Sequence, residues 1–262
     1  MDMDFYRNHW YARIYEQQET QTEDIAYILS TIGPAPQKVL EVACGGGRIL
    51  EPLARAGYQI SGIDVDQFML EKCRARLENL PDEFQDLASC RYADAVKDDW
   101  GSSFDVVIMG GNLLVNIVSD LECREAQRLF IQKAAAALKP GGRLFFNCLC
   151  SEVFTTSFDP EEYTIFEGTD DLGTWGEFLL FDQQDDGPAR TQKSMRRQKI
   201  ITKDGLEKTW EWEVTKHFPS YEELSGWLTE AGLDIESACG DFEGGPMTAD
   251  TDWAIIWAKK NK

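Results

Sequence analysis

The run Val39-Leu40-Glu41-Val42-Ala43-Cys44-Gly45-Gly46-Gly47-Arg48-Ile49-Leu50 restricts the fold of this chain more than any other. It reads as a short buried strand ending in an acid, a turn of consecutive glycines, and the first turn of a helix. Glycine has no Cβ, so a ligand can press against such a turn while the amides of the loop and helix start point at it. The next apolar run, Tyr58 to Ile63, ends at a second acid, Asp64. In doubly wound folds an acid about 20 residues past the loop accepts hydrogen bonds from ribose hydroxyls. The expected ligand is therefore a nucleoside.

A dinucleotide site asks for Gly-x-Gly-x-x-Gly, and Leu50 stands in the place of the third glycine. Glu41 would also repel a pyrophosphate at close range. A cationic ligand suits it better, and S-adenosylmethionine (SAM) carries an ammonium, a sulfonium and a ribose without a phosphate. Here the chain resembles the class I SAM-dependent methyltransferases, whose first motif matches Glu41-x-Ala43-x-Gly45-x-Gly47.

With 262 residues the chain has room for one large α/β domain with additions or two small domains. No apolar run approaches the roughly 18 to 20 residues that span a bilayer, and the start Met1-Asp2-Met3-Asp4 lacks the regions of a signal peptide. A cytoplasmic location and no membrane partner are the default expectations. The seven cysteines are scattered, none forms Cys-x-x-Cys, and there are two histidines, so neither a metal site nor a disulfide framework is expected. A formal charge of −20 argues against a nucleic-acid partner, because that binding rests on Lys and Arg neutralising phosphates. A small-molecule substrate remains, with a homodimer left open.

Residues 4 to 32 read as helical up to Gly33-Pro34, with Tyr6, Tyr11 and Tyr15 in the first half. From Lys38 to about Cys150, strand and helix alternate, as in a parallel sheet with right-handed crossovers. The strands are expected at 38–43, 58–64, 88–93, 104–110 and 143–150, with helices starting near Gly47, Gln67 and Leu121. Lys139-Pro140-Gly141-Gly142 breaks the last of these helices. Between Ser151 and Phe218 the runs alternate with period two, as in antiparallel strands, with Lys203-Asp204-Gly205 as a hairpin turn. Tyr221 to Ala231 returns to helix, and Leu233 to Cys239 and Trp253 to Lys259 follow as further apolar runs.

The resemblance implies an α/β fold: a doubly wound, seven-stranded Rossmann-like sheet with its last strand antiparallel, carrying an inserted antiparallel β lid. It divides the chain into an N-terminal helical lid segment (1–33), a SAM-binding domain (34–150 and 219–262) and an inserted substrate-covering region (151–218). It assigns Glu41, Ala43, Gly45 and Gly47 to the methionine end of SAM, and Asp64, Val65 and Met69 to ribose and adenine. Asp94 and Ala95 would meet the adenine edge, and one of Tyr6, Tyr11 and Tyr15, with Tyr11 carried forward, would close over the cofactor. The segment Met109-Gly110-Gly111-Asn112-Leu113-Leu114-Val115-Asn116 is similar to one in the glycine and sarcosine N-methyltransferases. There the backbone meets the methionine moiety and the asparagine faces the substrate, which makes Met109 a cofactor contact and Asn112 a catalytic candidate. Asn112 could instead cap the turn that follows it.

Methyl transfer to a free amine needs little acid or base help, whereas an oxygen acceptor needs a base. His217 is a candidate base because only His9 and His217 titrate near neutrality unperturbed. Trp210, Trp212 and Val214 alternate onto one strand face with Arg196 across the hairpin, as an aromatic acceptor wall would. The expected function is methyl transfer from SAM to a small molecule, at an amine nitrogen. A non-catalytic SAM-binding protein and an NAD-dependent oxidoreductase are the alternatives.

Overall fold

The computed structural model describes residues 2–150, 162–248 and 251–262. In chain order the elements are α1 (Met3–Gln18), α2 (Glu23–Thr31), β1 (Lys38–Val42), α3 (Leu50–Arg55), β2 (Gln59–Asp64), α4 (Gln67–Glu78), α5 (Asp82–Gln85), β3 (Ala88–Tyr92), β4 (Phe104–Met109) and a 3-10 turn (Leu113–Asn116). There follow α6 (Cys123–Ala137), β5 (Leu138–Leu149), β6 (Glu162–Thr169), β7 (Trp175–Asp186), β8 (Thr191–Ile201), β9 (Glu207–His217), α7 (Tyr221–Glu230), β10 (Leu233–Cys239) and β11 (Trp253–Lys260). No helix among the described residues is long and apolar enough to cross a membrane.

The chain falls into two compact units. The larger takes in residues 22–150 and 218–262 as far as they are described, and is built on a seven-stranded sheet in the order β10-β11-β5-β4-β1-β2-β3. Strands β5, β4, β1, β2 and β3 run parallel, while β11 is antiparallel to both β5 and β10. This is the doubly wound sheet with an antiparallel last strand. The apolar strands are continuous because both faces are covered. Leu40, Val42, Val107, Leu144 and Phe146 pack on one side with Phe130 and Ile131 of α6 and Leu224 of α7. Val39, Val106, Ile108, Phe145 and Trp257 pack on the other with Ile28 of α2, Leu53 of α3 and Leu70 of α4. Glu41 takes the alternate position after Val39, so an acid stands where the strand pattern calls for a core residue.

The smaller unit contains α1 and the antiparallel sheet β6-β7-β8-β9. Trp10 of α1 is fully buried with Ile14 against Phe166 and Ile200, and its Nε1 donates to the Gly168 carbonyl at 2.9 Å. Gly176 allows that approach, because a Cβ there would lie 2.5 Å from Cε2 of Trp10. His9 Nδ1 meets Asp170 at 2.9 Å, and Arg13 meets Asp171 at 3.3 Å.

The sequence pattern placed most of these elements, with three differences. Residues 4 to 32 form two helices and not one; the break at 19–22 is the polar Glu-Thr-Gln-Thr, which offers no apolar residue to either sheet. Strand β5 begins at Leu138, directly after α6, and runs through the Pro-Gly-Gly segment with a register shift against β4 between Phe104 and Val106. Strand β6 and the short α5 carry too few periodic apolar residues to be read in advance. The start of the inserted region at 151 lies outside the described residues.

Candidate functional site

The parallel strands β4, β1, β2 and β3 are neighbours, so their carboxyl ends bring Met109, Glu41, Asp64 and Asp94 to one edge of the sheet. Glu41 is opposite Gly62 on one side and Ile108 on the other. Ala43, at φ 56°, turns the chain out of β1, and Gly45 and Gly47, at φ 51° and 80°, continue the turn in the left-handed region. A Cβ on Gly45 would have nothing within 4 Å, so this side of the loop is open. A Cβ on Gly47 would lie 2.9 Å from the Cys73 sulfur, so that side is packed against α4.

Asp64 ties the loop to β2. One carboxylate oxygen accepts from the Gly45 amide at 2.8 Å, and the other from the Asp66 amide at 2.8 Å. Burial raises its carboxyl above the usual range, and these amides oppose the rise. A carboxylate has about four lone-pair sites, so each oxygen keeps acceptor capacity beyond its backbone bond. Val65 next to it is 58% exposed, whereas Met69 is buried on α4.

Glu41 is buried near the end of β1. It is 4% exposed, and its Oε2 has no hydrogen-bond partner among the described residues. Burial drives its carboxyl well above the usual range; the Arg48 guanidinium opposes this, and Asp64 and Asp24 add to it. Arg48 is itself held by Asp24 of α2 in a two-pronged pair at 2.7 and 2.6 Å. The acids outnumber the arginine around the loop, and burial holds Glu41 toward its neutral form in the protein without ligand.

Beneath the loop lie three thiols. Cys44, Cys73 and Cys90 are close enough to act on one another, and all three have thiols shifted up. For Cys73 and Cys90 the neighbouring thiol is the largest cause and burial adds to it; for Cys44 the Cys73 thiol opposes the rise, and burial together with the charges of Glu41 and Asp64 outweighs it.

At the end of β3, Asp94 accepts from the Val96 amide at 2.9 Å and pairs with Lys97 at 3.2 Å. A small desolvation cost is outweighed by the Lys97 pair and the amides of Val96 and Lys97, and the carboxyl lies below its usual range. Ala95 presents its carbonyl to Trp100 Nε1 at 2.8 Å and to Lys133 Nζ at 2.7 Å. The same ammonium also reaches the Val96 and Asp98 carbonyls, at 3.0 and 2.7 Å. Lys133, half-buried at the base of this loop, fixes its shape.

Asn112 follows β4 at φ 58° and does not cap the 3-10 turn with its side chain. Its Oδ1 accepts from the Leu149 amide of β5 at 3.0 Å, which spans the gap between two strand ends. Its backbone carbonyl takes the Val115 amide at 3.1 Å, closing the turn. Met109 is fully buried in the core, so only its backbone faces the loop region.

Two of the sequence candidates lie in the smaller unit. Tyr11 is edge-on to Phe166 and Phe178, each at 5.8 Å between ring centres. His217 is 1% exposed at the last position of β9. Sequence reasoning missed Asp24, Arg48 and Lys133. A lone arginine after a glycine turn and a lysine inside a helix carry no local signal of their partners, which are supplied by packing.

Residues 40–144 match the family model described as a methyltransferase domain. The matched segment takes in Glu41, the glycine turn, Asp64, Asp94 and Asn112. The chain is 34% identical over 119 residues to the ubiquinone biosynthesis O-methyltransferase of Idiomarina loihiensis, covering 45% of each chain. The chain thus spans about half the length of this curated relative. Among solved structures, a SAM-dependent methyltransferase from Clostridium acetobutylicum aligns over all of both chains at a TM-score of 0.70 and 15% identity. SAM-bound CalS10, an amino pentose methyltransferase from Micromonospora echinaspora, aligns over 99% of this chain and 96% of its own at a TM-score of 0.62 and 17% identity. At these identities the likeness to solved structures shows the fold alone.

Proposed function

We propose that the chain is a SAM-dependent methyltransferase that methylates a nitrogen of a small molecule. The observation that carries the cofactor is Glu41: a buried carboxyl oxygen with no hydrogen-bond partner among the described residues, beside a glycine turn whose outer side is open at Gly45. Such a group is costly to leave unpaired, and the ammonium of SAM supplies the missing donor and charge. NAD fits worse, since its pyrophosphate would bring more negative charge to Glu41 and Asp64. When bound, SAM supplies a methyl group already activated by the sulfonium.

The chain's own residues bind and orient. Asp64 accepts from the ribose hydroxyls through the lone pairs left by its two backbone bonds. The amide after Asp94 and the Asp94 carboxylate meet the adenine edge, held there by Lys133. Asn112, anchored through Oδ1 to β5, presents its Nδ2 toward the acceptor and helps align the nucleophile, which supplies most of the rate when the leaving group is activated. No histidine occurs in the methyltransferase domain or elsewhere in the larger unit, as both histidines of the chain belong to the smaller one. An amine presenting its lone pair needs no base, whereas a hydroxyl does, and this favours nitrogen. The O-methylating curated relative covers too little of the chain to decide the atom.

Asp64→Asn should weaken SAM binding by about 1 to 2 kcal/mol, as a charged acceptor becomes neutral. Unchanged affinity in a titration of the folded variant would remove the ribose role. For the function as a whole, equilibrium binding of SAM and NAD should be followed by methyl transfer to amines, phenols and acids. Binding of SAM with transfer to amines alone is the expected result. NAD binding without SAM binding would return the oxidoreductase reading, and SAM binding without transfer to any acceptor would leave a non-catalytic SAM-binding protein.

A further inference from the structure

The ammonium of Lys133 on α6 donates to three backbone carbonyls of the loop after β3: Ala95 at 2.7 Å, Val96 at 3.0 Å and Asp98 at 2.7 Å. An ammonium has three N–H groups, and these carbonyls take all of them. Nζ also lies 5.4 Å from the ring centre of Trp100, which meets Phe130 of α6 edge-on at 5.4 Å. Phe130 and Lys133 are three residues apart and share one face of the helix. Burial lowers the Lys133 amine, and the charges of Asp94, Asp98 and Asp99 oppose this. A methionine would fill similar space against Trp100. What the ammonium adds is a grip on three carbonyls.

The residues so gripped are the ones that hold Asp94. Val96 gives its carbonyl to Lys133 and donates its amide to the Asp94 carboxylate at 2.9 Å. Asp98 gives its carbonyl to Lys133, donates its amide to the Asp94 carbonyl at 2.7 Å, and accepts from the Asp94 amide through its carboxylate at 2.9 Å. The Ala95 carbonyl takes Trp100 Nε1 at 2.8 Å besides Lys133. The bonds to Asp94 from Val96 and Asp98 are local, whereas Lys133 lies 35 to 38 residues along the chain from the carbonyls it grips. Local bonds shape the turn, and Lys133 fastens it to the helix layer.

We propose that Lys133 is a positioning residue for nucleobase recognition: by gripping the loop it fixes Asp94 and the Ala95 amide so that the cofactor site tells adenine from a 6-oxopurine. This rests on the methyltransferase reading, in which those two groups meet the adenine edge. Adenine presents an amino donor beside an acceptor nitrogen, matching the carboxylate and the amide. In hypoxanthine both are reversed, so an oxygen faces the carboxylate and a protonated nitrogen faces the amide. A site built to hydrogen-bond one pattern rejects the other by leaving its polar groups unpaired. Such rejection needs groups that are held in place, because a loop free to turn offers the wrong nucleobase a different partner.

The test titrates S-adenosylhomocysteine and S-inosylhomocysteine into the full chain by calorimetry. The wild type is expected to prefer the adenosyl ligand by about tenfold or more. In Lys133→Met the adenosyl affinity should fall about tenfold while the inosyl affinity changes far less, so the preference shrinks. Lys133→Arg, which keeps a charged donor, should retain part of it. A general loosening of the fold would weaken both ligands alike and leave the ratio unchanged. Should Lys133→Met fail to fold, Lys133→Gln is read by the same ratio. An unchanged ratio in the folded variant, or a wild type without preference, would overturn the proposal. Binding of neither ligand by the wild type would remove the SAM reading itself, whereas an adenosyl preference that survives the substitution removes only the role of Lys133.

Discussion

Glu41→Gln should weaken SAM binding by about 3 to 5 kcal/mol, more than a hundredfold in Kd, the scale for removing one partner of a buried charge pair. The same substitution has a second signature in the protein without ligand. Because burial raises the Glu41 carboxyl in the folded state, the folded chain holds a proton that the unfolded chain has already released at about pH 4.3. Between that value and the higher folded one, the unfolded state binds fewer protons, so the contribution of Glu41 lowers stability as pH rises. The glutamine variant, lacking this titration, should be more stable than wild type through that window in denaturant melts. SAM binding should show the opposite trend. An ammonium favours the carboxylate, so binding releases a proton, and affinity climbs with pH until Glu41 is ionised in the free protein. Calorimetry in buffers of differing ionisation enthalpy counts that proton, and the count should vanish in the variant. A proton count that is the same in both proteins would show that the ammonium is not held by Glu41.

Gly62→Val should destabilise the chain by about 3 kcal/mol, at the upper end for overpacking a filled interior. Gly62 lies in β2 beside Glu41, and even a Cβ there would fall 2.6 Å from the Cys44 sulfur and 2.7 Å from Leu50 Cδ1. Neither neighbour can retreat: Leu50 is fully buried at the start of α3, and Cys44 belongs to the glycine turn. The valine branches would therefore push the turn away from β2, and the Gly45 amide from the Asp64 carboxylate. Urea denaturation should show the lowered midpoint, and any folded fraction should bind SAM more weakly. Stability within about 1 kcal/mol of wild type would mean that the turn yields far more readily than its contacts indicate.

The same pair of positions shows how much was legible before the structure. Glu41, Gly45, Gly47 and Asp64 were readable because the glycine turn and the acids that follow strands leave a local signature. The parallel strands were readable because each is a short apolar run between breakers. Long-range dependence defeated the rest. What the local pattern of Glu41 does not tell is its burial, which comes from Gly62 and Ile108 on the neighbouring strands. Asn112 reads equally as a cap or a substrate contact, and only the Leu149 amide of a strand 37 residues away removes the capping role of its side chain. Tyr11 follows the helical period in sequence, but the rings it meets, Phe166 and Phe178, are more than a hundred residues distant. The alternation of Arg196 with Trp212 was visible, and the pairing of β8 with β9 sets the two directly opposite each other.

The thiols of Cys44, Cys73 and Cys90 give the glycine turn a built-in clock. Only thiolates react readily with alkylating agents, and all three thiols are held above their ordinary range under the turn. Cys44 and Cys73 are also buried, so their modification proceeds through brief local openings, and its rate measures how often the turn lifts from α4. A ligand that rests on the turn and holds it down lengthens the interval between openings, and simple thiol labelling times that interval.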